Sequence, residues 1–151
     1  MKIIEQEEVR KLLQPKDCIQ LMAEALKGLE SGEYAQPARL ITVMPNTAKF
    51  GFMPAYVGDY FGAKVISAFA PNMGTKYPSH IGYVMLFESA HSTVAGMIEA
   101  GSITEIRTGA VSAAATDLLA RKDSHKLALI GAGAQARSHL AAIREIRDIT
   151  S

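Results

Sequence analysis

The sequence is poor in the features that mark several protein classes. It holds one cysteine, Cys18, in 151 residues, so no internal disulfide can form and a reducing, cytoplasmic setting is expected. Charges nearly cancel: 16 Lys plus Arg against 15 Asp plus Glu, a net charge of +1. Without a basic excess there is no electrostatic footprint for nucleic acid, and without an acidic tail no solvated arm. No apolar run approaches the roughly 18 residues of a membrane span. Acidic residues at Glu5, Glu7 and Glu8 come too early for a secretion signal. The four histidines, His80, His91, His125 and His139, lack metal-site spacing, so no metal is expected. There is no nucleophile elbow, no internal repeat and no low-complexity tract. What remains, 48% hydrophobic and 21% charged, is the composition of an ordinary globular α/β or α+β chain.

Glu5 to Leu13 has helical spacing, with Val9, Leu12 and Leu13 inward. Pro15 suits the first turn of a second helix, in which Ile19, Met22, Leu26 and Leu29 repeat before Gly32 stops it. Segments 39–44, 50–57, 63–70, 81–88 and 94–99 read as short strands, with Gly58-Asp59 as a turn. Five strands in succession predict a largely antiparallel or mixed sheet packed on the two N-terminal helices. Ser102-Ile103-Thr104-Glu105 has the capping-box pattern. The helix it opens is rich in Gly109, Ala110, Ala113, Ala114 and Ala115. Glycine inside a helix costs about 1 kcal/mol against alanine, so a close partner, whether backbone or ligand, is expected there, with helix-on-helix packing the favoured explanation for the alanines.

Lys126 to Ile130 forms a short apolar strand pattern, and Gly131-Ala132-Gly133-Ala134-Gln135-Ala136 follows at once. A helix pattern (Leu140, Ile143, Ile146) runs on to about Arg147. The turn fits G-x-G-x-x-A, a variant of the dinucleotide fingerprint. Gly131 permits the sharp turn, Gly133 lets a pyrophosphate approach the backbone, and Ala136 allows close helix packing. The helix N-terminus offers free N–H groups and partial positive charge. The alternative is a glycine-rich turn with packing duties only. A fingerprint of this kind continues into a second strand whose end selects the ribose, and that strand is due at Ser151. The expectation is therefore the front part of a longer protein, with a boundary near 121–125 that separates a domain at 1–122 from the first β-α unit of a truncated Rossmann domain at 123–151. NAD and NADP stay equally open.

Three stretches occur together: Lys64 in GAKVISAFAPN, then ITEIRTGA from Ile103 to Ala110, then IGAGAQA from Ile130 to Ala136. In this order and spacing the chain resembles the ornithine cyclodeaminase/mu-crystallin family over nearly its whole length. The resemblance implies an α/β fold: a mixed-sheet substrate and dimerisation domain followed by a Rossmann domain. It implies hydride transfer at the α-carbon of a small amino or imino acid with NAD or NADP, in a homodimer. Ornithine cyclodeamination to proline with release of ammonia leads, and alanine dehydrogenase, imine reductase and a non-catalytic NAD(P)H-binding or dimerisation module are the alternatives. By the same resemblance Arg39, Lys64 and Arg107 hold the substrate, with Lys64 also catalytic. Ser79, Arg107, Thr108, Gly131, Gly133, Ala134 and Gln135 fall on cofactor positions. The family's catalytic aspartate lies beyond residue 151, so this length is expected to be inactive.

The chemistry of an α-imino or α-amino acid asks for such side chains. A guanidinium grips a carboxylate bidentately, and an ammonium adds a point charge. Nearby positive charge also favours the neutral amine, the form that can lose hydride. Each residue has a plainer alternative. Arg39 suits a solvated strand edge, Lys64 an edge-protecting lysine, and Arg107 an ion pair with Glu99 or Asp117. Cys18, on an amphipathic helix, suits packing.

Overall fold

The computed structural model describes residues 1–151. Eleven elements follow one another: β1 (Lys2–Ile4), α1 (Gln6–Leu12), α2 (Pro15–Ser31), β2 (Leu40–Val43), β3 (Lys49–Val57), β4 (Tyr60–Ala68), a 3-10 turn (Ala70–Asn72), β5 (His80–Glu88), β6 (Val94–Glu99), α3 (Ala100–Leu119) and α4 (Ala134–Arg144). No helix is long and apolar enough to cross a membrane. Two compact units result. One comprises residues 1–9 and 28–101, and the other residues 10–27 and 102–151.

The first unit is a six-stranded sheet in the order β1-β6-β5-β4-β3-β2. Five of its strands fall on the expected segments, with β4 starting at Tyr60 and ending at Ala68 rather than spanning 63–70. The sixth, β1, pairs parallel to β6 and makes the sheet mixed; three residues are too short to show a period. Between β3 and β4 the two-residue turn Gly58-Asp59 pairs Val57 with Tyr60, and Gly58 has φ +56°, as a tight hairpin requires at its first turn position. That turn fixes the register of both strands. Phe61 and Phe87, directly opposed on β4 and β5, stack with centroids 5.2 Å apart. On the β5–β6 connection the Glu88 carboxylate accepts the His91 and Thr93 N–H groups and the Thr93 hydroxyl. Ser92 sits there at φ +57°. The carboxylate supplies the partners that a turn this tight leaves without a ladder.

The second unit is helical. Ala113, Ala142 and Ile143 are buried together, with Ile19, Leu127, Ile146 and Ile149 packed on them. Residues 10–27 of the N-terminal helices therefore belong with α3 and α4. Cys18 is 1% exposed, and burial raises its thiol pKa against the opposing pull of Arg107, as a packing role requires. Gly109 meets backbone: a Cβ there would stand 2.5 Å from the Ser138 carbonyl oxygen of α4.

Three local expectations are corrected. The capping box at Ser102 is not used. Helix α3 begins at Ala100 because the Glu99 carboxylate accepts the Gly101 N–H at 2.5 Å, which starts the helix earlier and leaves Ser102 buried inside it. Glu105 bonds Arg10 instead, at 2.6 Å. Residues 126–130 are extended but form no strand, because a strand needs a ladder along its length. What pairing there is lies beside the chain end: Leu127 N–H to Ser151 O at 2.9 Å and Thr150 N–H to His125 O at 3.0 Å. Helix α4 also stops at Arg144, short of Arg147. Arg147 turns inward, 8% exposed, and donates to the Asp117 carboxylate and to the carbonyls of Thr116, Asp117, Ala120 and Arg121. It thus satisfies the open C-terminal end of α3.

Two outcomes follow from this packing. Gly109→Ala gains about 1 kcal/mol in helix propensity but pushes a methyl group into backbone, so urea unfolding should show a net loss of about 1–3 kcal/mol. The Glu88 hydrogen bonds hold its carboxyl below its usual 4.5, and Arg147 and Lys122 act likewise on Asp117. A depressed folded pKa contributes stability above the unfolded value and loses it as pH falls through the folded one. Stability should therefore decline below about pH 4.5, and Glu88→Gln should flatten part of that decline. Identical pH slopes for the two proteins would remove the assignment.

Candidate functional site

Within the helical unit, the turn before α4 has the features a phosphate needs. Gly131 sits at φ +104°, where side chains are strained. Gly133 is the N-cap of α4 at φ −79°, ψ −173°, with no side chain capping the helix. The direction of its absent Cβ is open, with no atom within 4 Å. The first N–H groups of α4, at Ala134, Gln135 and Ala136, have no intrahelical acceptor by construction, and Ala134 and Gln135 are exposed. One turn on, the Ser138 hydroxyl and His139 Nδ1 both donate to the Gln135 carbonyl, at 3.1 and 2.7 Å.

Helix α3 lies against this element. Gly109 packs on Ser138, and Ala113 packs on Ala142 and Ile143. Matching four-residue steps on both helices mean they run in the same direction. The turn of α3 before Gly109, which holds Thr104, Glu105 and Thr108, is thereby level with the N-terminal turn of α4. Arg107 on that turn is exposed. Its alternative use with Asp117 is not realised, since Asp117 pairs with Arg147 and Lys122. The Thr108 hydroxyl donates to Thr104 O within the helix.

Within the sheet unit, Lys64 on β4 opposes Met53 on β3 and Val84 on β5, and Val84 opposes Ile98 on β6. Opposed residues share a face, so these four form one row. Arg39 directly precedes β2, whose first residue Leu40 opposes Phe52. Continuing that ladder by one residue sets Arg39 opposite Met53, on the face of Lys64 and about two strand spacings, roughly 10 Å, away. Ser79 stands just before β5. Its carbonyl accepts the Phe69 N–H at 2.8 Å, and its hydroxyl lies 3.1 Å from His80 Nδ1.

The structure therefore groups the expected residues in two sets. Lys64 stands within the sheet unit, with Arg39 just before β2 and Ser79 just before β5, and Arg107, Thr108, Gly131, Gly133, Ala134 and Gln135 belong to the helical unit. Sequence reasoning did not single out Met53 or Arg147. Met53 could have been found by counting back from the Gly58-Asp59 turn, which opposes it to Lys64. Arg147 carried no signal, because its carbonyl acceptors come from a helix some 30 residues earlier.

The family model described as "Ornithine cyclodeaminase/mu-crystallin family" matches residues 1–151. Ketimine reductase mu-crystallin of Mus musculus is 36% identical over 121 residues, covering 78% of this chain and 38% of the relative. Among solved structures, Delta(1)-pyrroline-2-carboxylate reductase of Thermococcus litoralis, in complex with NADH and L-proline, superposes with a TM-score of 0.91 at 33% identity, over 99% of this chain and 47% of its own. An archaeal alanine dehydrogenase dimer with bound NAD superposes with a TM-score of 0.92 at 28% identity, over 97% and 46%. The chain thus spans less than half the length of these relatives.

The two glycines of the turn should separate in a stability measurement. Gly131→Ala forces a side chain into a left-handed φ and should cost about 1–3 kcal/mol. Gly133→Ala adds a methyl group at an ordinary φ into open space and should stay within about 0.5 kcal/mol of the parent. Equal losses in urea unfolding would mean that Gly133, too, is a packing residue.

Proposed function

The chain belongs to the ornithine cyclodeaminase/mu-crystallin family, and from that premise we propose that it is the substrate-binding and first nucleotide-binding part of an NAD(P)-dependent enzyme acting at the α-carbon of a small amino or imino acid. The observation that carries this reading is the uncapped N-terminus of α4 behind Gly131 and Gly133, held beside the helix that bears Arg107 and Thr108. Residues 1–122 would serve substrate binding and dimerisation, and residues 123–151 would open the nucleotide-binding domain.

The residues present fit a dinucleotide. The open space at Gly133 admits a pyrophosphate to backbone N–H groups, Arg107 adds a cation, and Ala134, Gln135 and Thr108 complete the set. When bound, the nicotinamide supplies a hydride acceptor or donor. The chain's own side chains hold the reacting molecule. Arg39 takes the carboxylate in a planar, charge-assisted grip. Lys64, in the same row, adds positive charge and disfavours the ammonium form of the adjacent nitrogen. Fixing the carboxylate end sets where the α-carbon stands. A homodimer suits the sheet, whose face opposite Lys64 carries Leu40, Phe50, Phe52 and Ile81, all at least 41% exposed; exposed apolar surface of this kind marks contact areas.

Imine reduction or amino-acid oxidation is the leading reading, because the similar proteins include a pyrroline-2-carboxylate reductase, a ketimine reductase and an alanine dehydrogenase. Ornithine cyclodeamination to proline is the second reading, carried by the family description. NADH titrated into the chain should show enhanced fluorescence, with affinity lowered at least tenfold by Gly133→Val and by Arg107→Ala. Unaltered affinity in both variants would sink the phosphate-turn assignment. In a polypeptide that continues into the rest of the nucleotide-binding domain, Arg39→Ala should raise the substrate KM about 10–100-fold, the worth of a charged hydrogen bond. Assaying ornithine, alanine and pyrroline-2-carboxylate side by side separates the two readings.

A further inference from the structure

We propose that the substrate is recognised through a short apolar side chain or ring, and that Met53 is the residue that sets this specificity. The inference rests on the reading of Arg39 and Lys64 as the carboxylate clamp. The ladder places Met53 between them: it opposes Lys64 directly, and the β2 ladder continued by one residue opposes it to Arg39. A carboxylate held by both cations lies over Met53, so the groups attached to the α-carbon meet that row first. Met53 is half-buried, and beyond Lys64 the row continues with Val84 and Ile98.

The surroundings of the row are equally apolar. On one side Ile66 spreads over the backbones of Gly51 and Gly82, where added Cβ atoms would meet its side chain at 2.9 and 2.7 Å. On the other side stand Ala55 and Gly62, which oppose each other. The result is an apolar strip flanked by Ile66 on one side and by Ala55, Gly62 and Leu86 on the other. No acid or amide stands at these positions. The nearest carboxylate on the same face of β5, Glu88, is committed to the hairpin turn. An ω-ammonium carried by the substrate would therefore face two cations and a thioether, whereas a methyl group or a pyrroline ring would lose only water contact. Methionine, flexible and polarisable, can fit a ring or a short chain.

The test uses the 151-residue chain with L-proline, L-alanine and L-ornithine as probes, and binding is followed by NMR titration. Proline is expected to bind at least tenfold more tightly than ornithine. Met53→Asp should reverse that order by placing an anion beside the ω-ammonium. Met53→Ala, which adds no charge to the sheet, should weaken proline about five- to tenfold and leave ornithine within twofold. Arg39→Ala should weaken all three probes alike. Ornithine binding as tightly as proline, or a ratio unmoved by either Met53 variant, overturns the proposal while the clamp stands. Affinities indifferent to Arg39→Ala, including the absence of any binding, overturn the clamp and the proposal with it.

Discussion

The helical unit depends on one close approach, the backbone of α3 at Gly109 against the Ser138 carbonyl of α4. Glycine in mid-helix sacrifices intrinsic stability, and here the loss is offset by letting two helices touch without a side chain between them. The alanines extend the contact along both elements, with Ala113 and Ala142 each nearly inaccessible. Because the helices run in the same direction, this contact also aligns their early turns. The small-residue stripe is thus a packing device whose consequence reaches the turn at Gly131 and Gly133. Arg147 fastens the other end of the same pair by donating to four carbonyls at the end of α3.

The sheet unit has an equivalent determinant in two turn residues. A one-residue slip between β3 and β4 would move every side chain to the opposite face. Gly58 and Asp59 prevent this by closing the hairpin at Val57 and Tyr60. From that pairing the opposition of Met53 and Lys64 follows by counting. The opposite face carries the aromatic pair Phe61 and Phe87 and the exposed Phe50 and Phe52. One hairpin turn therefore separates a face that carries cations among small and apolar side chains from a face built of aromatic contact surface.

Much of this was legible in the sequence, for physical reasons that also explain the failures. Strands β2 to β6 are runs rich in β-branched, aromatic and other apolar residues bounded by turn residues, so they show. Strand β1 is three residues long and exists because β6 offers it a parallel edge, which no local pattern encodes. The glycine-rich turn was readable because Gly131 takes a φ of +104° that other residues rarely adopt. The helix start at Ala100 was misplaced because Ser102 and Glu105 satisfy a local rule while their neighbours satisfy better ones: Glu99 reaches the Gly101 N–H, and Arg10 takes Glu105. Residues 126–130 read as a strand because apolar β-formers predict burial on two faces. Ile130, fully exposed, has no ladder to join here. Arg147 was invisible because its partners lie far away in sequence.

The ionisable groups divide the labour in a way that bears on mechanism. Glu88 and Asp117 are held below their usual range by donors around them, and Cys18 and Tyr83 are held above theirs by burial and by Glu5 respectively. All four move away from neutrality, so the carboxylates stay ionised and the thiol and phenol stay protonated at pH 7. General acid–base catalysis works best with a group poised near the operating pH, and none of these four is. Their task is structural: the carboxylates complete turns and helix ends, and Tyr83 donates to Glu5 at 3.3 Å. The groups proposed to hold substrate and cofactor are cations instead, Arg39 and Lys64 in one unit and Arg107 in the other. On that proposal they would bind and orient an anion and favour the neutral amine, the contribution that hydride transfer requires of the part that grips the acid end of a substrate.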